Sequence, residues 1–149
     1  MNGRAHQAVA IPAGIGVSLF QAQGQPSFGR ILEAAGAGCA ASLGARLPDW
    51  WDPPNCPDHR SWAHSLSLAA AGTAAAGANL ADLQRYLRWQ AASHAQAAHW
   101  ATDALVRSWH TLCEWFYLFL SGCFVGVLVG YGSHLALDAF TPRSLPLIA

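Results

Sequence analysis

The sequence predicts an all-α protein: an integral membrane bundle of about four helices with an additional interfacial or extramembrane helical segment. Hydrophobic residues make up 53% of the 149 residues and charged residues only 11%, well below the ~25% charged residues of a typical soluble domain. Four apolar stretches are separated by more polar segments. No useful length of chain shows the apolar–polar alternation that indicates a strand. The length suits a single domain over 1–149.

The first three apolar stretches differ in how well they suit a membrane crossing. The stretch 5–20 contains Pro12 and is shorter than the ~20 residues that a full crossing needs. The stretches 31–47 and 63–81 are rich in Ala and Gly, which let helices pack closely. Because these two stretches are Ala-rich rather than Leu-rich, a soluble helical bundle is the alternative to membrane embedding.

The C-terminal half contains the most apolar stretch, 112–140, which Thr141-Pro142 ends. The preceding segment, 83–111, is rich in Ala and Trp and lacks Gly and Pro, which predicts a helix. Its Trp and Arg residues suit a membrane–water interface, and an extramembrane helical hairpin is the alternative. Gly126 and Gly130 fit a small-xxx-small pattern, which we interpret as close helix packing within the chain rather than dimerisation.

The number of crossings predicts which polar segments share a side of the membrane. If all four stretches cross, the N-terminus, the loop 48–62 and the C-terminus lie together, so that one polar cluster can form. The orientation is undetermined, because four Arg residues fall on each side and the positive-inside rule is tied. The eight basic and eight acidic residues balance and form no basic cluster, which argues against a nucleic-acid partner.

Candidate metal ligands come from several polar positions. His134 and Asp138 stand at i and i+4 in the last apolar stretch, so a helix presents them on one face. Ionisable groups in such a helix are costly unless they are paired or bind an ion. The segment 46–65 supplies further Asp and His residues. Such donors suit one or two divalent ions, Zn first and also Mn, Fe or Ni. The predicted ligands are His6, Asp49, Asp52, His59, His64, His134 and Asp138.

Some of the candidate metal ligands also have simpler interpretations. His134 and Asp138 could form a buried hydrogen-bonded pair without a metal. Asp58 fits ordinary turn chemistry and Cys56 lacks CxxC spacing, so neither belongs to the predicted ligand set. Three further histidines are interpreted as surface or interface residues: His94, His99 and His110.

Several sequence blocks, taken together, resemble a known family. His6 opens the first apolar stretch, LPD stands at 47–49 before Asp52-Pro53, HRSWAHS stands at 59–65, and GYGSHLALDAFTPRSLPLI stands at 130–148. In this order the blocks resemble the YdjM-like membrane-bound metal-dependent hydrolases, and they span nearly the whole chain. The resemblance implies a metal-dependent hydrolase, similar to zinc phospholipases C, that crosses a bacterial inner membrane several times.

The chain departs from the family pattern at two positions. LPDWWDP stands where many members have LPDxDH, which makes Asp52 the expected second carboxylate. Ser144 stands where a glycine is expected after TPR, a change that concerns a turn rather than the metal ligands.

The predicted function is therefore a multi-pass membrane hydrolase whose metal-activated water attacks a membrane lipid or a phosphoester. Asp49 or Asp52 could act as the general base, and Arg60 could contact an anionic phosphate. Two alternatives stay open: a non-catalytic membrane protein with a structural metal site, and an interaction subunit that binds a membrane-complex partner through 83–111. Homo-oligomerisation is also left open.

Overall fold

The computed structural model describes residues 3–51 and 66–140. These two ranges contain helices and no strand, so the predicted all-α class is confirmed. Four helices are long, and the third is a single short turn of five residues. The bounds are α1 Gly3–Gln21, α2 Ser27–Gly44, α3 Leu47–Trp51, α4 Leu66–Trp100 and α5 Ala104–Ala139.

The helices follow the apolar stretches except in the Trp-rich segment 83–111. The sequence predicts an interfacial helix or, as the alternative, a helical hairpin over this segment; α4 continues into it and the chain breaks at 101–103. The break arises because Asp103 caps α5. Its carboxylate accepts hydrogen bonds from two backbone N–H groups in the first turn, at 2.8 and 3.0 Å. The segment therefore contains the end of α4, the turn at 101–103 and the start of α5, which together form a helical hairpin.

The most extensive contact in the bundle joins α2 and α5, which run parallel. Gly126 faces Ala37 and Gly130 faces Ala41, and a Cβ at either glycine would overlap the facing backbone carbonyl. Both pairs are 89 positions apart (126 minus 37 and 130 minus 41), and Gly122 repeats the pattern one turn earlier. The close packing predicted for Gly126 and Gly130 thus occurs within the chain.

Apart from three buried leucines, Leu87, Leu118 and Leu135, small and polar side chains fill the interior, and many large apolar side chains lie outside. Phe20 is 72% exposed and Leu43 is 63% exposed. A soluble domain buries such residues. The opposite arrangement is typical of helices that pack through small residues while their outer surface faces lipid. The largest fully buried side chains are His6, His134, Glu33, Pro48, Ser18 and Ser121.

Within residues 3–51 and 66–140, α5 is the one helix long and apolar enough to cross a membrane. The prediction of four crossing stretches is therefore not supported by length and composition. The reason is that α1, α2 and α4 contain many Ala, Gly and polar residues, which lower the mean hydropathy of these helices. Only 22% of the apolar part of α5 is buried, whereas the central helix of a soluble protein is mostly buried.

Candidate metal centre

Three segments meet at one end of the bundle: the start of α1, the turn between α2 and α3, and the end of α5. Gln7 donates hydrogen bonds to the hydroxyl of Ser42 at 2.8 Å and to its carbonyl at 3.2 Å. Arg46 donates to the side-chain oxygen of Gln7 at 3.1 Å. Since α2 and α5 run parallel, the end of α5 arrives at the same place. Among the described residues, helix packing thus brings together part of the grouping that the sequence predicts from four membrane crossings.

The α2–α5 register fixes the position of His134, whose side chain is fully buried. Its Nδ1 lies 2.7 Å from the carbonyl oxygen of Ala45, the residue that follows α2. A carbonyl only accepts, so Nδ1 carries the hydrogen. Nε2 lies 3.4 Å from Asp138 Oδ2 and 3.6 Å from Asp49 Oδ1. A backbone carbonyl on the second ring nitrogen is the usual means of orienting a metal-ligating histidine.

His6 enters the same cluster from α1. Its ring stacks on that of His134, with centroids 3.9 Å apart and planes inclined by 18°. Its Nε2 lies 3.5 Å from Asp138 Oδ1, so each oxygen of that carboxylate faces one imidazole. His6 is 1% exposed and Asp138 is 3% exposed. The i and i+4 pair on α5 is therefore part of a buried three-residue cluster.

The spacing of this cluster suits a metal ion. His6, His134 and Asp138 each offer one ligand atom, and these atoms lie within 4.8 Å of one another. The nitrogen–oxygen separations of 3.4–3.6 Å are longer than the ~2.7–2.9 Å of a charged hydrogen bond. They are close to the roughly 3.3–3.4 Å expected between two ligands of a tetrahedral zinc ion at ~2.0–2.1 Å. Asp49, with a side chain 34% exposed, adds an oxygen on the open side.

Four of the predicted ligands thus come together: His6, Asp49, His134 and Asp138. The hydrogen-bonded alternative for His134 and Asp138 uses the same two side chains, whose nearest nitrogen and oxygen lie 3.4 Å apart. The remaining candidates lie outside the described residues: Asp52, His59, Arg60 and His64, together with Asp58 and Cys56.

The middle of the bundle contains a buried ion pair that the sequence did not predict. Glu33 is fully buried in α2. Arg88 on α4 donates from Nε and Nη2 to its two carboxylate oxygens, at 2.8 and 2.6 Å, and Gln25 donates to one of them at 3.4 Å. The partners are 55 residues apart, so no local spacing reveals them. Glu33 lies about 18 Å along α2 from Ala45, so this pair is separate from the metal centre.

Comparisons of the chain with protein-family models, with curated proteins and with solved structures give no match. The resemblance to the YdjM-like hydrolases therefore stays a prediction that rests on the sequence blocks. Those blocks contribute all four residues of the cluster, since His6, Asp49, His134 and Asp138 each stand in one of them.

Proposed function

We propose that this protein is a membrane-bound hydrolase that uses one or two divalent metal ions to activate water, as its YdjM-like sequence blocks imply. The observation that carries the proposal is the buried cluster of two imidazoles and a carboxylate, with ligand atoms within 4.8 Å of one another. Three protein ligands beside an open position are typical of catalytic zinc sites. Zn suits this donor set first, and Mn, Fe or Ni also suit it.

The residues of the cluster would have distinct tasks. A bound ion would supply a water of lowered pKa and polarise the bond under attack. Ala45 holds His134 in the tautomer that leaves Nε2 for the ion. Asp49 is the most exposed of the four residues, so it faces the side from which a substrate enters. It would serve as a further ligand or as general base for the water.

A membrane lipid or phosphoester is the substrate class that we propose. A groove of about 410 Å³ is lined by Leu43, Arg46, Leu47 and Trp50, and the last two belong to the same short helix as Asp49. Its apolar walls suit an acyl chain, and the Arg46 guanidinium suits the oxygens of an anionic phosphate.

The proposed location is multi-pass, with α1 and α2 embedded beside α5. The buried faces of α1 and α2 consist mainly of Ala, Gly and polar residues. Their outer faces carry large apolar side chains, such as Phe20 at 72% and Ile31 at 61% exposure. In water such surfaces mark an interaction site, and in lipid they are solvated by the acyl chains.

Thiol labelling of Cys39 tests this location, because Cys39 is exposed on α2. In open membrane vesicles we expect Cys39 to resist a polar maleimide and to react after solubilisation in SDS. The reason is that the reactive form of a thiol is the thiolate, which is not stable in hydrocarbon. Thr102→Cys, in the turn between α4 and α5, should react in both conditions. Rapid labelling of Cys39 in vesicles would contradict embedding of α2. Before labelling, the other three cysteines of the chain are replaced by Ser, so that only the thiol under test can react: Cys56, Cys113 and Cys123.

Metal content tests the centre itself. Elemental analysis of protein purified in detergent without chelator should find about one or two equivalents of a transition metal. His134→Ala and Asp138→Asn should each lose that metal, because they remove ligands at the centre of the cluster. His99→Ala, an exposed histidine on α4, should retain it. A wild-type protein with no metal above background would leave His134 and Asp138 as a buried hydrogen-bonded pair.

A structural metal site is the second candidate function, and the burial of the cluster favours it. His6, His134 and Asp138 are all at most 3% exposed, and structural sites are closed by protein ligands. Asp49→Asn separates the two functions. In a catalytic site this variant should keep the metal yet lose hydrolysis of bis(4-nitrophenyl) phosphate or of short-chain phospholipid micelles. In a structural site the wild type should hydrolyse neither substrate, and chelation should lower the thermal stability of the bundle.

A further inference from the structure

A cleft separates α1 from α4 on the surface of α5. Both helices pack on α5 but have few contacts with each other. The space between them measures about 220 Å³. Its walls are apolar side chains from the three helices, among them Val17, Leu80, Phe124 and Leu128. Among the described residues, none that lines the cleft carries a charge. A ligand that fills this cleft is therefore uncharged and apolar over most of its length.

Two glutamine side chains lie at one end of the cleft. Gln84 on α4 is 9% exposed, and its amide nitrogen donates to the side-chain oxygen of Gln21 on α1 at 3.3 Å. Each amide has two N–H donors, and within residues 3–51 and 66–140 this is the one hydrogen bond that the two amides donate. The remaining N–H groups suit a carbonyl oxygen of the ligand.

The glutamine pair lies at the end of the bundle opposite the metal centre. Gln21 is the last residue of α1, and His6 stands 15 residues earlier, roughly 22 Å along the axis. With α1 embedded as proposed above, its 19 residues span about 28 Å, close to the ~30 Å of the hydrocarbon core. Gln21 is therefore at the membrane surface, at the depth where the acyl chains of lipids join their headgroups.

We propose that this cleft binds one acyl chain of a membrane lipid, whose ester carbonyl accepts a hydrogen bond from Gln84 or Gln21. Water does not fill a cavity with apolar walls, and no described side chain fills this one. In a bilayer, hydrocarbon from a neighbouring lipid takes the space. The volume is that of about seven water molecules at ~30 Å³ each, and a methylene group is of similar size. The cleft therefore accommodates about the seven carbons that follow the carbonyl of an octanoyl chain.

The lipid in the cleft is distinct from the proposed substrate. Its ester would lie roughly 22 Å from His6, too far for contact with an ion in the metal cluster. The cleft depends on the membrane embedding proposed above, but on neither the metal nor its activity. Since α1 and α4 have few contacts of their own, the bound chain would join the two helices.

Native mass spectrometry of tag-free, detergent-solubilised protein titrated with dioctanoylglycerol tests the cleft. This probe has ester carbonyls and lacks the phosphate that the groove at Arg46 suits. We expect about one equivalent to bind to the wild type. Di-O-octylglycerol, which lacks the carbonyls, should bind about three- to tenfold more weakly. The double variant Gln21→Leu with Gln84→Leu should bind the two probes equally, because it removes the amide donors.

Filling the cleft should abolish the binding of both probes. Ala81 lines the cleft, so Ala81→Phe places a large side chain in the space of the acyl chain. Ala35→Phe is the matched control. Ala35 is exposed on α2 and stands midway between the residues that face Gly122 and Gly126, at the same depth as Phe124. Because Ala35 does not line the cleft, this variant should bind dioctanoylglycerol as the wild type does.

Two results would overturn the lipid site: a monodisperse wild type that binds no dioctanoylglycerol, or binding that survives Ala81→Phe. Binding that is lost in Arg46→Ala but kept in Ala81→Phe would assign the lipid to the groove beside the metal centre. If Ala81→Phe is not monodisperse, the smaller substitution Ala81→Leu takes its place. A wild type that binds the probe in the cleft but contains no metal would refute the proposed function alone.

Discussion

Arg88→Met should lower the free energy of unfolding by about 3–5 kcal/mol, because it leaves a buried carboxylate without its cation. Glu33 is fully buried, and both of its oxygens accept hydrogen bonds from the Arg88 guanidinium, at 2.8 and 2.6 Å. Methionine keeps most of the aliphatic part of the arginine side chain. The decrease in unfolding free energy therefore reports the loss of the charge and its hydrogen bonds. Unfolding by SDS in mixed micelles, followed by helical circular dichroism, measures the change.

Arg85→Met is the matched control one turn earlier on α4. Arg85 is exposed and pairs with Asp82 on the same helix, so its removal should change stability by no more than about 1 kcal/mol. The double variant Glu33→Leu with Arg88→Met should recover most of the loss, because an apolar pair of similar volume often replaces a buried ion pair at little cost. Equal effects of the two single Arg substitutions would contradict a buried pair at Glu33.

The sequence predicts the helices well because their signals are local. Apolar stretches locate α1, α2 and α5, and small residues predict that Gly126 and Gly130 meet a neighbouring helix. The identity of that neighbour is not local, since Ala37 and Ala41 lie 89 positions earlier in the chain. The break before α5 has a local signal, an Asp at the N-cap position. Residues 83–111 also lack Gly and Pro, which favours an uninterrupted helix and conceals the break at Asp103.

In the candidate site, too, contacts within one helix can be predicted from the sequence, whereas contacts between distant parts of the chain cannot. His134 and Asp138 share one helix, so their spacing alone places them on one face. His6 enters the prediction through its place among the family-like blocks, because no periodicity links α1 to the end of α5. The carbonyl of Ala45 that orients His134 depends on the α2–α5 register, which no side-chain pattern encodes. His94 and His110 meet only because the chain turns at 101–103.

Gly126→Ala should separate α2 from α5 and reduce the metal content of a centre that lies about 12 Å away along the helix. The new Cβ would overlap the carbonyl of Ala37 and lie 2.8 Å from its Cα. Backbone cannot rotate aside as a side chain can, so the helices must move apart, at a cost of about 1–3 kcal/mol. The same movement stretches the 2.7 Å contact between Ala45 and His134. Elemental analysis and SDS unfolding measure the two effects together.

Gly132→Ala is the control that isolates packing from helix propensity. It lies on the same helix, and a Cβ there would meet no atom within 4 Å. Alanine should therefore leave the metal content unchanged and shift stability by no more than about 1 kcal/mol, in the stabilising direction. If Gly126→Ala also retained its metal, the α2–α5 register would not be what positions His134, and the cluster would depend on α5 alone. If Gly126→Ala lost its metal and Gly132→Ala retained it, the close contact between α5 and α2 at Gly126 would be required for the metal centre to form.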